Sequence, residues 1–262
     1  MEVHHPHHPT HKKKWSEYLL EFFMLFVAVT LGFFAENLRE HYVEKHKAIV
    51  NVQNLYKDLK TDSIVFSYMV KVRKKQDSCF QIISRLYDQK KIEQNLSTLY
   101  VAQSFLALRI MPSVSTMALD QLKNSGALNY IENETLKQEI QLYANNATNL
   151  KVREQREYAF IDKNIDPLTI NRFEYKYYHD LSIEDDFEIK GDKILAHAKI
   201  PDGLKLINQS TFDWNNYFSI LSTLSLIRTS TNRNQIIPTQ EECNKLLVIV
   251  RNYLIENNSL ID

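Results

Sequence analysis

The sequence predicts a mainly α protein, in which one apolar N-terminal helix continues into a helical bundle that carries a small loop or β insert. Three observations point there. Only 4 Gly and 6 Pro occur in 262 residues. These two residues supply the backbone angles of tight turns, so their scarcity argues against β-sandwiches, barrels and glycine-looped nucleotide folds. Residues 18–35 are apolar almost without interruption, and from residue 42 onward apolar side chains recur at alternating spacings of three and four with no proline between positions 10 and 111. The hydrophobic content of 44% suffices for a buried core. Lys plus Arg and Asp plus Glu both number 32, so there is no basic footprint for nucleic acid.

The first segment, residues 1–14, is a tail rich in histidine and lysine. It holds His4, His5, His7, His8 and His11, spaced by Pro6 and Pro9, before Lys12, Lys13 and Lys14. Neutral imidazoles so dense are able to bind Zn, Ni or Cu, although a tail without supporting partners binds weakly and unselectively. Three readings stay open: a metal-binding or pH-responsive tail, a basic tail that sets topology, and an expression tag. The uneven, proline-broken spacing argues against the last. No cofactor is expected elsewhere.

Residues 15–37 read as a transmembrane signal anchor. YLLEFFMLFVAVTLGFFA, from Tyr18 to Ala35, has Glu21 as its single charge. At about 1.5 Å per residue it reaches roughly 27 Å, close to a bilayer's hydrocarbon thickness. Trp15 and Tyr18 sit at the leading edge with Lys12, Lys13 and Lys14 as interface anchors. A buried globular helix would show one wet face, which this stretch lacks. A cleaved signal peptide would need a small residue where Phe33 stands. The lysine cluster before the span predicts a cytoplasmic N-terminus, with the remainder of the chain projecting outward, to the periplasm in a Gram-negative cell. Ala28 and Gly32 form a small-xxx-small face with Ala35 one turn on, a pattern that favours helix pairing in lipid.

Residues 38–164 are expected to form the helical bundle. Tyr42, Ile49, Val52, Tyr56, Leu59, Phe66, Val70, Phe80 and Tyr87 make a heptad-like seam with gaps at Ser63 and Arg73. Leu55, Ile64, Val65, Tyr68, Met69, Val72 and Ile83 widen the apolar face beyond a two-stranded coiled coil. The first helix therefore continues from the anchor and ends between Asp88 and Ile92. A second helix is expected over 96–110 and a third over MALDQLKN, started by Ser113 or Ser115 and closed by Ser125 and left-handed Gly126. Helical period then runs to Asn164, with Asn133 as a cap, and Pro167 ends the block.

Residues 165–211 mix aromatic, acidic and β-branched residues with Gly191, Pro201 and Gly203, which suggests a loop-rich insert with a hairpin around Lys190 to Asp192. Residues 212–262 return to helix and pack on the bundle. One helix spans Phe212 to Arg228, and the last follows Pro238 with Thr239 and Glu242 as a capping box. Cys79 and Cys243 either form one long-range disulfide in an oxidising compartment or pack as two separate small hydrophobes.

Chemistry-bearing motifs do not stand out. GxSxG, P-loop, HExxH, EF-hand and dinucleotide fingerprints are missing from the sequence. His41 and His46 lie five apart and so on different helix faces. The aromatics Phe173, Tyr175, Tyr177 and Tyr178 suit packing better than a site.

Two stretches resemble known sequences. The start, HHPHHPTHKKKWSEYLLEFFMLFVAVTLGFFAENLREHYVEKHK, is similar to a family of uncharacterised single-pass inner-membrane proteins of Gram-negative bacteria. The middle, MPSVSTMALDQLKNSGALNYIENETLKQEIQLYA, resembles a related membrane family of unknown function at Leu122, Lys123, Ser125, Gly126, Leu128, Ile131, Asn133 and Leu136. The resemblance implies a membrane-anchored helical protein and no particular activity. The expectation is thus a non-enzymatic scaffold, adaptor or sensor-like module of the bacterial inner membrane. Its partners would be the lipid bilayer and either a second copy of itself or another envelope protein, with no nucleic acid. The alternative is a tethered periplasmic enzyme or ligand-binding domain that uses the 165–211 insert.

Overall fold

Helix α1 (Trp15–Asp88) winds through 74 residues without a break, roughly 110 Å at about 1.5 Å per residue. The computed structural model describes residues 14–110, 114–178, 187–191, 193–196 and 203–260. Nearly every residue of α1 up to Val43 is exposed. From Ala48 onward one face is buried, with Ala48, Val52, Leu55, Leu59, Phe66 and Met69 inside the fold. The helix stops at Asp88, as its periodicity predicts, and Lys90 adopts φ +58° just beyond.

Four shorter pieces fill the space beside it. They are α2 (Leu96–Leu106), α3 (Met117–Asn124), α4 (Glu134–Phe160) and α5 (Asp166–Arg172). A single turn, α6 (Tyr175–Tyr178), precedes the hairpin β1 (Phe187–Lys190) and β2 (Lys193–Ala196). The chain closes with α7 (Trp214–Thr231) and α8 (Ile237–Glu256).

Three long rods emerge from these pieces, because neither Pro167 nor Pro238 ends its helix. Pro167 was expected to terminate the bundle's helical block, and Pro238 to precede a new start capped by Thr239 and Glu242. Instead a π-helical turn, Ile161–Ile165, joins α4 to α5, and a second, Asn232–Ile236, joins α7 to α8. Proline lacks an N–H and its ring crowds the carbonyl four residues back. A widened π-turn immediately upstream relieves that clash while the rod carries on. Pro167 and Pro238 accordingly sit in the first turn of the helix that follows each π-turn. Thr239 is buried inside its rod, where its hydroxyl donates back to Gln235 O at 2.6 Å, so it caps nothing.

Cross-rod bonds set the directions. Lys45 pairs with Glu132 and Asp62 with Tyr143, so the α4–α5 rod runs parallel to α1. Gln53 reaches Ser259 and Ser63 reaches Asn244, so the α7–α8 rod runs antiparallel to it. The seam of α1 is therefore covered by helices of the same chain from Ala48 onward. Ile64 and Tyr68 of the widened face remain exposed, as does Tyr42 ahead of Ala48.

Local signals account for most boundaries. Asn133 caps α4 by accepting from Leu136 N at 2.9 Å, and Asp213 caps α7 by accepting from Asn216 N at 3.0 Å. Gly126 takes φ +72° after α3, which an L side chain resists. The expected start of α3 at a serine differs. Ser113 lies outside the described residues and Thr116 makes no side-chain cap. Two carboxylates of α1 take over, Asp62 accepting from Ser115 N at 3.0 Å and Asp58 from Ala118 N at 3.4 Å. The α2 helix also ends earlier than predicted, at Leu106. Residues 127–130 form a separate 3-10 turn ahead of α4.

The core divides into two clusters stacked along α1. One, nearer the apolar start of α1, joins α1 up to Met69 with α3, α4 up to Leu150, and α8. The other joins α1 from Val72 with α2, the π-turn at Ile161 and Ile165, and α7 up to Leu224. Cys243 belongs to the first and Cys79 to the second; both are buried free thiols, so they do not form the long-range disulfide. The described residues Phe173, Ile194 and Leu206 of the segment 165–211 join the second cluster. Tyr100 donates to Lys205 O at 2.6 Å and accepts from Glu174 N at 2.8 Å, and Phe173 bridges to Leu206. The hairpin forms where Gly191 provides φ +60°, with Glu188 opposite Leu195 and Ile189 opposite Ile194.

Candidate functional site

A layer of buried charge separates the two apolar clusters. Arg73 of α1 meets Glu157 of α4 through two hydrogen bonds, Nη1 to Oε1 at 2.7 Å and Nη2 to Oε2 at 2.8 Å. Arg228 of α7 adds Nε to the same Oε1 at 2.9 Å and donates to the carbonyls of Leu106 at 2.9 Å and Leu108 at 3.1 Å. Gln76 accepts from Arg73 at 3.1 Å and donates to Phe105 O at 3.1 Å. All four side chains are buried. Each rod thus contributes one charged residue at the level where its apolar residues pass from one cluster to the other. Glu157 and Arg228 each stand one turn before a π-turn.

Burial alone would raise the Glu157 carboxyl, but the two guanidinium groups outweigh it and hold the group below the usual carboxylate range. Burial pushes Arg228 down to about 10, which leaves it charged at neutral pH. Among the described residues buried in this layer, Arg73 and Arg228 are the cations and Glu157 the anion.

A cavity of about 120 Å³ opens beside this layer, between α1 and α7. Arg73, Gln76 and Arg228 form its polar wall, Phe80, Leu106, Leu221 and Leu224 its apolar wall, and Lys74, Asp77, Ser225 and Thr229 complete the lining. Asn232, first residue of the second π-turn, also lines it, and its buried Oδ1 has no donor. The cavity thus sets charged groups of both signs, Arg73, Lys74 and Arg228 with Asp77, against an apolar wall.

A second buried polar group lies in the cluster nearer the apolar start of α1. Asp62 accepts from Tyr143 Oη at 2.7 Å, and burial raises its carboxyl. Cys243 donates to Leu59 O at 3.5 Å, and burial pushes its thiol up to about 12, as it does for Cys79. A thiol so protonated is a poor nucleophile.

Glu139 of α4 lies beside Glu242 of α8, with Lys245 paired to Glu139 at 2.6 Å. Burial and the neighbouring carboxylate push Glu242 up to about 7, whereas Glu139 is lowered by its Glu242 neighbour and by Lys245. A raised carboxyl contributes stability that is complete below its unfolded pKa and is lost as pH rises through the folded one. Glu139 is already ionised in both states across that window. Thermal unfolding is therefore expected to shift downward between about pH 5 and pH 8, by on the order of 1 kcal/mol for a solvent-screened pair. Glu242→Gln should flatten that slope, and a variant retaining the wild-type slope would place the titration elsewhere.

None of the described residues among the sites marked in the sequence belongs to this layer. His4, His5, His7, His8, His11, Lys12 and Lys13 lie outside the described residues. Lys14 directly precedes α1, with Trp15 and Tyr18 exposed in its first turns. Ala28, Gly32 and Ala35 are exposed on α1, and a Cβ added at Gly32 would meet nothing within 4 Å. Among the described residues no group of three or more His, Cys, Asp or Glu is placed to hold a metal. Phe173 and Tyr177 pack against Tyr100, with ring centroids 4.9 and 6.3 Å away. The charged layer itself left one trace in the sequence, the gap at Arg73 in the α1 seam.

No family model matches the chain, and no curated protein and no solved structure is significantly similar to it. Its class rests on architecture: a three-rod helical bundle built on one long helix whose first part is apolar enough to cross a membrane.

Proposed function

We propose that this protein is a single-pass, membrane-anchored interaction module of the bacterial inner membrane, a scaffold, adaptor or sensor without enzymatic activity of its own. Its N-terminal tail is cytoplasmic and its bundle periplasmic. The observation that carries the reading is the continuity of α1. The same helix that presents a fully exposed apolar window of mean hydropathy 2.1 supplies a buried face to both core clusters. Water-soluble monomers rarely expose so large an apolar surface, and lipid is the solvent that suits it. A rigid connection of this kind passes any tilt or rotation of the bundle into the bilayer.

The face of Ala28, Gly32 and Ala35 is free of contacts from its own fold, which supports pairing there with a second copy or another span. The seam beyond Ala48 lends no such support, being occupied by the chain's own helices.

Reporter fusions at the C-terminus test the reading. A reporter that works only outside the cytosol is expected to be active, with the protein in the membrane fraction and resistant to carbonate extraction. Recovery in the soluble fraction, or activity of a cytosolic reporter alone, would overturn it.

A further inference from the structure

We infer that the charged layer is a parting plane: the half of the bundle beyond it opens as one cooperative unit while the half nearer the apolar start of α1 stays folded. The chain crosses the layer along four paths, and three of them are interrupted there. The first is α1 at Arg73, and the second lies between α2 and α3, where the described residues 107–110 and 114–116 form no helix. The third is α4 at Glu157 and the fourth α7 at Arg228, each one turn ahead of a π-turn that breaks the regular hydrogen-bond ladder. Only α1 passes through as unbroken helix.

The layer also lowers the cost of separation. The two clusters share no buried residue; Met69 belongs to one and Val72 to the other. Parting an apolar core exposes hydrophobic surface in proportion to its area. Arg73, Glu157 and Arg228 instead regain hydration when water enters between the clusters. The half beyond the layer is the weaker one, because α5 buries no residue, α6 is a single turn and the hairpin enters the core through Ile194. In the other half α8 alone brings Cys243, Leu246, Val250 and Leu254 to full burial. Opening bares Tyr100, Phe105, Leu221 and Leu224, while α1 keeps the opened half attached. The inference concerns the bundle alone, so it stands or falls separately from the membrane reading.

Hydrogen exchange of the full-length protein in detergent, followed by mass spectrometry along a urea series below the unfolding midpoint, tests it. The most protected amides of α2 and α7 are expected to exchange at least about tenfold faster than those of α8 and the first half of α4, as one group whose rate rises with urea. Two variants read the order of events. Leu246→Ala weakens the half that stays folded, so it should speed exchange in α8 by about thirtyfold or more and leave α2 and α7 within about twofold of wild type. Leu221→Ala should speed exchange in both halves, since either opening starts from the intact fold that it destabilises. Equal protection in the two halves of the wild type, faster exchange in α8 than in α7, or a Leu246→Ala protein whose α2 and α7 accelerate as much as its α8 would overturn the inference. The wild-type urea series decides by itself if either variant does not fold.

Discussion

Glu157→Ala is expected to destabilise the bundle by about 3–5 kcal/mol, the range found when one member of a buried ion pair is removed. Folded domains are typically stable by only about 5–15 kcal/mol, so the variant should be partly unfolded or recovered in inclusion bodies. The cause is the two charges left behind. Arg73 and Arg228, both buried, lose the carboxylate that each contacts at 2.9 Å or less. Glu157→Gln keeps the shape but not the charge and should recover only part of the loss. Replacing the three together by Met at 73 and 228 and Leu at 157 removes the stranded charge but takes the Arg228 donors from the carbonyls of Leu106 and Leu108, so it should recover most of the loss without exceeding the wild-type value. Urea unfolding followed by circular dichroism measures all three. A Glu157→Ala protein within 1 kcal/mol of wild type would mean that water reaches the layer and solvates the arginines.

Phe66→Ala should cost about 3–5 kcal/mol, the usual range for deleting a fully buried aromatic ring. Phe66 is 0% exposed in the cluster formed with α3, α4 and α8. The concentration dependence is the sharper reading. Because helices of the same chain cover this face, the loss should be identical at low and high protein concentration. A seam held by a second copy would instead give a midpoint that rises with concentration. Unfolding of wild type and Phe66→Ala over a hundredfold dilution series separates the two, and a difference between them that changes with concentration would return the α1 seam to a coiled-coil role.

These two residues differ in how visible they were. Phe66 lies at a regular position of the α1 seam, where spacing alone marks it as buried. Asn133 and Gly126 were equally legible, since a cap and a left-handed residue are local devices whose partners lie within a turn. The hairpin at Gly191 follows the same rule. Ser63 and Arg73, by contrast, read only as interruptions. Ser63 is explained by Asn244, which it reaches at 2.7 Å across the α1 and α8 contact. Arg73 is explained by Glu157, which is 84 residues away in sequence.

Pro167 and Pro238 show the opposite failure, a strong local signal that tertiary packing overrides. Proline usually marks a helix boundary, and the residue before it avoids helical angles. Yet Asp166 and Ile237 both keep right-handed helical angles, with φ −61° at each. Ile161 and Ile165 on one rod and Ile236 on the other are fully buried at the junctions. Burial of these side chains offsets the poorer π-turn hydrogen bonding.

The amino-acid sequence by itself determined the helical class, the extent of α1, the apolar stretch at its start, and the caps and hairpin, because each depends on side chains a few residues apart. Only the tertiary structure decided the rod directions, the division into two core clusters, and the charged layer with its cavity. Those depend on which faces of distant helices meet. A periodicity tells a residue that it is inside, but not which neighbour it finds there.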